Sequence, residues 1–168
     1  MPISVKPDNA SSLSWSNFTP VDSLTEDEDA HIDFTYDLSN KPFKKVDGKW
    51  ALDDTAVLTV KPVAKVKKSA TQTDTLLSHE KGHFNLAILV GRALARDLDG
   101  LLEANPATLK TKATTAFDLH RLTRGKAVQK KYDDDTNHSL NTAQQLTWDT
   151  EIAKCLKTPS DKILNQPL

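Results

Sequence analysis

The stretch Thr73-Asp74-Thr75-Leu76-Leu77-Ser78-His79-Glu80-Lys81-Gly82-His83-Phe84 opens the run that organises the rest of the chain. Leu76, Leu77, Phe84, Ala87, Ile88, Leu94 and Leu98 recur at helical spacing, and Thr73 or Asp74 stands where an N-cap belongs. Apolar residues occupy much of the helix circumference, the pattern of a helix buried through the middle of a domain. The run weakens at Asp99-Gly100 and ends by Pro106.

Upstream the period changes from helical to two. Ile32, Phe34, Tyr36 and Leu38 alternate with His31, Asp33, Thr35 and Asp37, and Ala56 to Val66 alternates with Val57 to Lys67. Both segments read as half-buried strands of a small antiparallel sheet, with Pro42 and Gly48 punctuating the connection. Pro62 has no N–H for a ladder, which makes the second strand an edge or places a bulge there. Residues 1–30, rich in Ser, Pro, Asp and Glu, read as an extended arm docking through Leu13, Trp15 and Phe18, and Glu26-Asp27-Glu28-Asp29 as a solvated loop. Downstream, Asn105 and Pro106 start a second helix running to about Lys131. A polar turn over Asp133–Asn137 precedes a third, from Thr142 to Leu156, whose Leu146, Trp148 and Ile152 read as core. Strands first and helices afterwards give an α+β domain spanning residues 1–168.

The bulk composition excludes several functions. A net charge of -1 supplies no basic excess for nucleic acid or an anionic membrane surface. With mean hydropathy -0.50, no stretch approaches the roughly 20 apolar residues of a membrane span. The lone Cys155 rules out a disulfide within the chain and a cysteine-based zinc site. The N-terminal residues do not read as a signal peptide.

Chemistry concentrates in His79-Glu80-Lys81-Gly82-His83. Histidines at i and i+4 share a helix face and can reach one metal, and zinc suits imidazole ligands. Glu80 projects beside that position, where a carboxylate can take a proton from a zinc-bound water and pass it to a leaving amine. Gly82 costs about 1 kcal/mol of helix propensity, which implies close packing of another element against that turn. A third ligand is needed. His138, in the polar turn, is the first candidate; Glu103 would lie about 30 Å away along an unbroken helix. His31 and His120 read as surface histidines. Tyr132 is placed to offer its phenol to a developing oxyanion. Asp133, Asp134 and Asp135 could orient an imidazole.

These segments resemble a bacterial group of secreted zinc proteases catalogued as domain-of-unknown-function family 922. Leu13-Ser14-Trp15-Ser16-Asn17-Phe18 resembles the family's opening Trp-x-x-Phe segment, and Leu77 to Phe84 its His-Glu-x-Gly-His-Phe helix. Tyr132 to His138 resembles its Tyr-Asp-x-x-Thr-x-His element, and Gln144 to Trp148 its closing Gln…Trp helix. The resemblance implies a zincin-like fold and a secreted or periplasmic zinc metallopeptidase with Zn2+ on His79, His83 and His138 and Glu80 as base. The chain departs from the pattern at Ser139, where the family tends to have Gly, and at Asn85, where it often has Asp. The resulting expectation is a monomeric HExxH peptidase acting on peptide or protein, with extended substrate adding along the Ala56–Val66 edge. The alternative is a non-catalytic, zinc-stabilised peptide- or protein-binding module.

Overall fold

The computed structural model describes residues 3–7, 13–24, 28–39 and 43–168; Glu26, Asp27 and Pro42 lie outside them. The expected α+β class holds. The described residues form eight strands: β1 (Ser4–Pro7), β2 (Thr19–Val21), β3 (Ala30–Ser39), β4 (Phe43–Val46), β5 (Lys49–Leu52), β6 (Val57–Lys67), β7 (Lys162–Ile163) and β8 (Gln166–Pro167). The helices are α1 (Asp74–Asp99), α2 (Pro106–Asp118), α3 (Lys126–Thr136) and α4 (Thr142–Lys157). No helix among the described residues is long and apolar enough to cross a membrane.

The main sheet is mixed rather than antiparallel. β3 pairs antiparallel with β6, while β1 and β2 pair parallel to it on its other side, opposite Val57–Val60 and Lys65–Lys67 respectively. β6 is therefore the inner strand, and the edge expected at Ala56–Val66 belongs instead to β3. Pro62 falls where neither β1 nor β2 pairs, so its missing N–H costs no ladder bond on that side. The expected arm thus supplies two strands, and its Leu13 and Phe18 are buried. The connection after β3 contains a hairpin, β4–β5, turned by Asp47 and Gly48 in left-handed conformations (φ 49° and 80°).

The central helix α1 begins at the Thr73 cap, whose hydroxyl accepts the Leu76 amide at 3.1 Å. One side packs Phe84, Ala87 and Ile88 on Ile32, Phe34 and Val60. The opposite side packs Leu86, Leu89, Val90 and Ala93 on Val128, Tyr132, Trp148 and Ile152. Near its end Leu94, Ala95 and Leu98 meet Ile3, Leu38, Leu52 and Leu58. Each fully buried aliphatic or phenyl group stabilises by about 1.5–3 kcal/mol. Leu146, expected in the core, is 68% exposed, whereas Trp148 and Ile152 are buried.

The second helical run does not stop at Lys131. From α2 it passes through a π turn at Leu119–Gly125 and continues as α3 to Thr136. Acidic residues are poor helix C-termini, but these are anchored: Tyr132 is fully buried, Lys130 pairs with Asp134, and the Trp148 indole N–H donates to Asp135 at 3.0 Å. The chain then turns through three left-handed residues, Asn137, His138 and Ser139 (φ 47°, 50° and 77°). A left-handed residue with a Cβ costs roughly 1–2 kcal/mol, partly offset by the unfolded-state entropy of glycine. Ser139→Gly is expected to raise stability by about 0.5–1 kcal/mol, read as a higher urea midpoint; a lower midpoint would show that the serine side chain makes a compensating contact.

Candidate metal centre

α1 carries His79 and His83 one turn apart, and the last turns of α3 carry Tyr132 and Asp133 against them. His79 Nε2 and His83 Nε2 lie 3.1 Å apart, and Asp133 Oδ1 lies 3.2 Å from the first and 2.8 Å from the second. Gly82 is what lets the two helices meet. A Cβ there would sit 2.1 Å from the Tyr132 hydroxyl, so the close packing implied by the glycine is present. The Tyr132 ring stacks on His79 (centroids 4.7 Å, 12°) and meets His83 edge-on.

Two glutamines fix the imidazoles. Gln145, in the first turn of α4, donates its amide N–H to Tyr132 Oη (2.5 Å) and Asp149 (2.9 Å), which leaves its oxygen to accept His79 Nδ1–H at 3.1 Å. Gln129 donates to the His83 carbonyl at 2.9 Å and accepts His83 Nδ1–H at 2.6 Å. With both Nδ1 atoms donating, both Nε2 lone pairs point at one another and at a carboxylate oxygen. Such a convergence of acceptors requires a proton or a cation. Burial pulls His83 down, but the hydrogen bond and charge of Asp133, with Glu80 and Gln129, outweigh it and hold His83 up at about 9. Burial pushes Asp133 up, yet the two imidazoles hold it well below the usual carboxylate range.

The donor set fits zinc. Ligand atoms about 2.0–2.1 Å from a tetrahedral ion are roughly 3.3 Å apart, and the three separations here run from 2.8 to 3.2 Å. All three residues offer ligand atoms within 4.8 Å of one another. Glu80, beside them, is 2% exposed, and its Oε2 has no hydrogen-bond partner among the described residues. Burial raises its pKa, against the opposing charges of His83 and His79.

The other expected site residues fall as follows. His138 stands at the rim, half exposed, with Nδ1 3.6 Å from Asp133 Oδ1, and the group whose ligand-type atoms lie within 4.8 Å of one another is His79, His83 and Asp133. Tyr132 reaches the centre, where its hydroxyl donates to the His79 carbonyl at 3.2 Å and its ring is fully buried. Glu103 bridges to Trp50 on β5 and pairs with Lys112, beyond the far end of α1. His31 is exposed as expected and pairs with Glu28 at 2.9 Å. His120 is not on the surface: it is fully buried in the π turn with Nε2 2.7 Å from Asp97. The placement of Gln129 and Asp133 follows once the helix is extended to Thr136, because 129, 132, 133 and 136 then share one face, whereas Gln145 reaches His79 from α4.

The centre opens on a cleft of about 540 Å³ lined by Ile32, Phe34, His83, Gln129, Asp133 and His138, with charged residues on both walls. Its β3 wall is the edge of the sheet that has no strand partner among the described residues. No protein-family model matches this chain, and comparison with curated proteins and with solved structures gives no significant match.

Proposed function

We propose that the chain is a zinc-dependent peptidase of the HExxH type, with His79, His83 and Asp133 holding the metal and Glu80 acting as base. The observation that carries this is the convergence of two oriented Nε2 lone pairs and a carboxylate beside a buried, unpartnered glutamate, at the wall of a cleft. A zinc held by these residues would supply a Lewis acid and the means to make water nucleophilic near neutral pH. Glu80 takes the proton of the attacking water and delivers it to the departing amine nitrogen, so water adds across the amide with no net proton change. Gln129 and Gln145 keep the imidazoles in the tautomer that presents Nε2. Extended peptide adds along β3, the open edge, rather than along β6.

The first test is metal binding. Isothermal titration should give one zinc per chain, weakened about 100-fold or more by Asp133→Asn and less than about tenfold by His138→Ala. The reverse order would return the third position to His138 and leave Asp133 as its orienting partner. The zinc-loaded chain is then offered a mixed peptide pool, with products identified by mass spectrometry. Intact peptides after long incubation at full zinc occupancy would defeat the peptidase reading and leave a zinc-stabilised binding module.

A further inference from the structure

The π turn at Leu119–Gly125 lies beside the cleft and interrupts an otherwise α-helical run. Such turns close i→i+5 hydrogen bonds and occur frequently at functional sites. Residues five apart diverge around an α-helix, whereas here Arg121 and Lys126 line the same cleft. Gly125 is needed for that turn, since a Cβ would lie 2.8 Å from the His120 carbonyl oxygen. Lys126 is one turn from Gln129, which bonds His83 at 2.6 Å, so the cationic wall abuts the metal group.

Three of the cleft's carboxylates are already paired. Glu28 pairs with His31 at 2.9 Å, Asp133 with the imidazoles, and Asp134 with Lys130 at 2.7 Å. Asp33 accepts the Phe34 amide at 2.7 Å from the opposite, β3 wall. Arg121 and Lys126, both exposed, have no carboxylate partner among the described residues. Two cations with no carboxylate partner among the described residues, on one wall of a cleft beside the His79–His83–Asp133 group, can receive a carboxylate.

We propose that this wall is an anion subsite, and that the chain takes acidic peptides whose carboxylate is received by Arg121 and Lys126 while the adjacent bond lies at the metal group. The substrate class rests on the peptidase reading above. Asp33 on the facing wall sets the polarity, repelling the acid group toward the π turn.

The probes are dye-labelled, end-blocked hexapeptides of one apolar sequence carrying Glu, Gln or Lys at alternate positions, plus the Gln peptide with a free C-terminal carboxylate. Binding to the zinc-loaded chain is read by fluorescence anisotropy immediately after mixing, and cleavage by mass spectrometry after hours. The Glu peptide should bind about 10–30-fold tighter than the Gln peptide, less so in high salt. Preference for the free C-terminus alone would assign the subsite to a terminal carboxylate rather than a side chain. Arg121→Gln/Lys126→Gln should erase the preference and Arg121→Glu/Lys126→Glu reverse it toward the Lys peptide, with zinc content confirming the fold. Equal affinities, or a preference that survives both double variants, would overturn the subsite while leaving any observed cleavage to stand. Tight, charge-dependent binding with no cleavage would uphold the subsite and defeat hydrolysis.

Discussion

Glu80→Gln is expected to lower hydrolysis by about 10²–10⁴-fold, the usual contribution of a positioned general base, while zinc affinity stays within about threefold. The amide matches the carboxyl in shape, so the packing around position 80 persists, but it cannot accept the proton of the attacking water. Stability should move the other way. The folded-state pKa of Glu80 is raised by burial, so the unfolded chain releases this proton more readily than the folded one. Stability therefore declines as pH climbs from the ordinary carboxylate range to the raised value, and glutamine removes that decline. At neutral pH the variant should melt higher than the wild type and turn over far less. Equal turnover in the two proteins would remove Glu80 from the reaction, and a variant both inactive and unfolded would show a structural role instead.

Gly82→Ala should destabilise the fold by about 2–3 kcal/mol, although alanine is the better helix former by about 1 kcal/mol. The new methyl would meet not only the Tyr132 hydroxyl at 2.1 Å but also its Cζ at 2.6 Å. Tyr132 cannot retreat, because it is fully buried against Trp148 and both imidazoles. Tyr132→Phe therefore should not rescue the variant, while Tyr132→Ala should show strong coupling to it in a double-mutant cycle. Urea denaturation of wild type, the three single variants and the two double variants measures this. A Gly82→Ala chain more stable than wild type would mean that α3 does not pack on α1 as described.

Much of this architecture is legible in the sequence because its signals are local. Thr73 and the apolar spacing mark α1, the alternation from Ile32 to Leu38 marks β3, and Asn105-Pro106 marks the start of α2, each through its own neighbours. Pairing is not local. The parallel partners of β6 come from segments with little apolar content, such as Ser4–Pro7, and nothing in their composition announces a parallel neighbour some 50 residues away. The Asp47-Gly48 turn was a readable hairpin signal, obscured by the short, weakly apolar strands around it. At the centre, the histidine pair and Glu80 follow from helix geometry alone. Asp133 was hidden in an acidic triplet that favours a loop, and only burial of Tyr132 and the bond from Trp148 to Asp135 carry the helix through it. His120 was misplaced because the π turn shifts which side of the helix faces inward.

The pairing of early strands with a later one also fixes an order of events during synthesis. As the chain leaves the ribosome from its first residue, Ser4–Pro7 and Thr19–Val21 have no partner until the segment ending at Lys67 has emerged. His79 and His83 then appear on a helix that can offer an ion only two nitrogens, since Asp133 follows 50 residues after His83 (133 − 83) and Gln145 later still. An ion that met the nascent helix would be released again, and lasting capture waits until α3 and the start of α4 have docked. If the proposed site holds a metal, its capture would therefore require a chain complete through residue 145, well after the two histidines have been made.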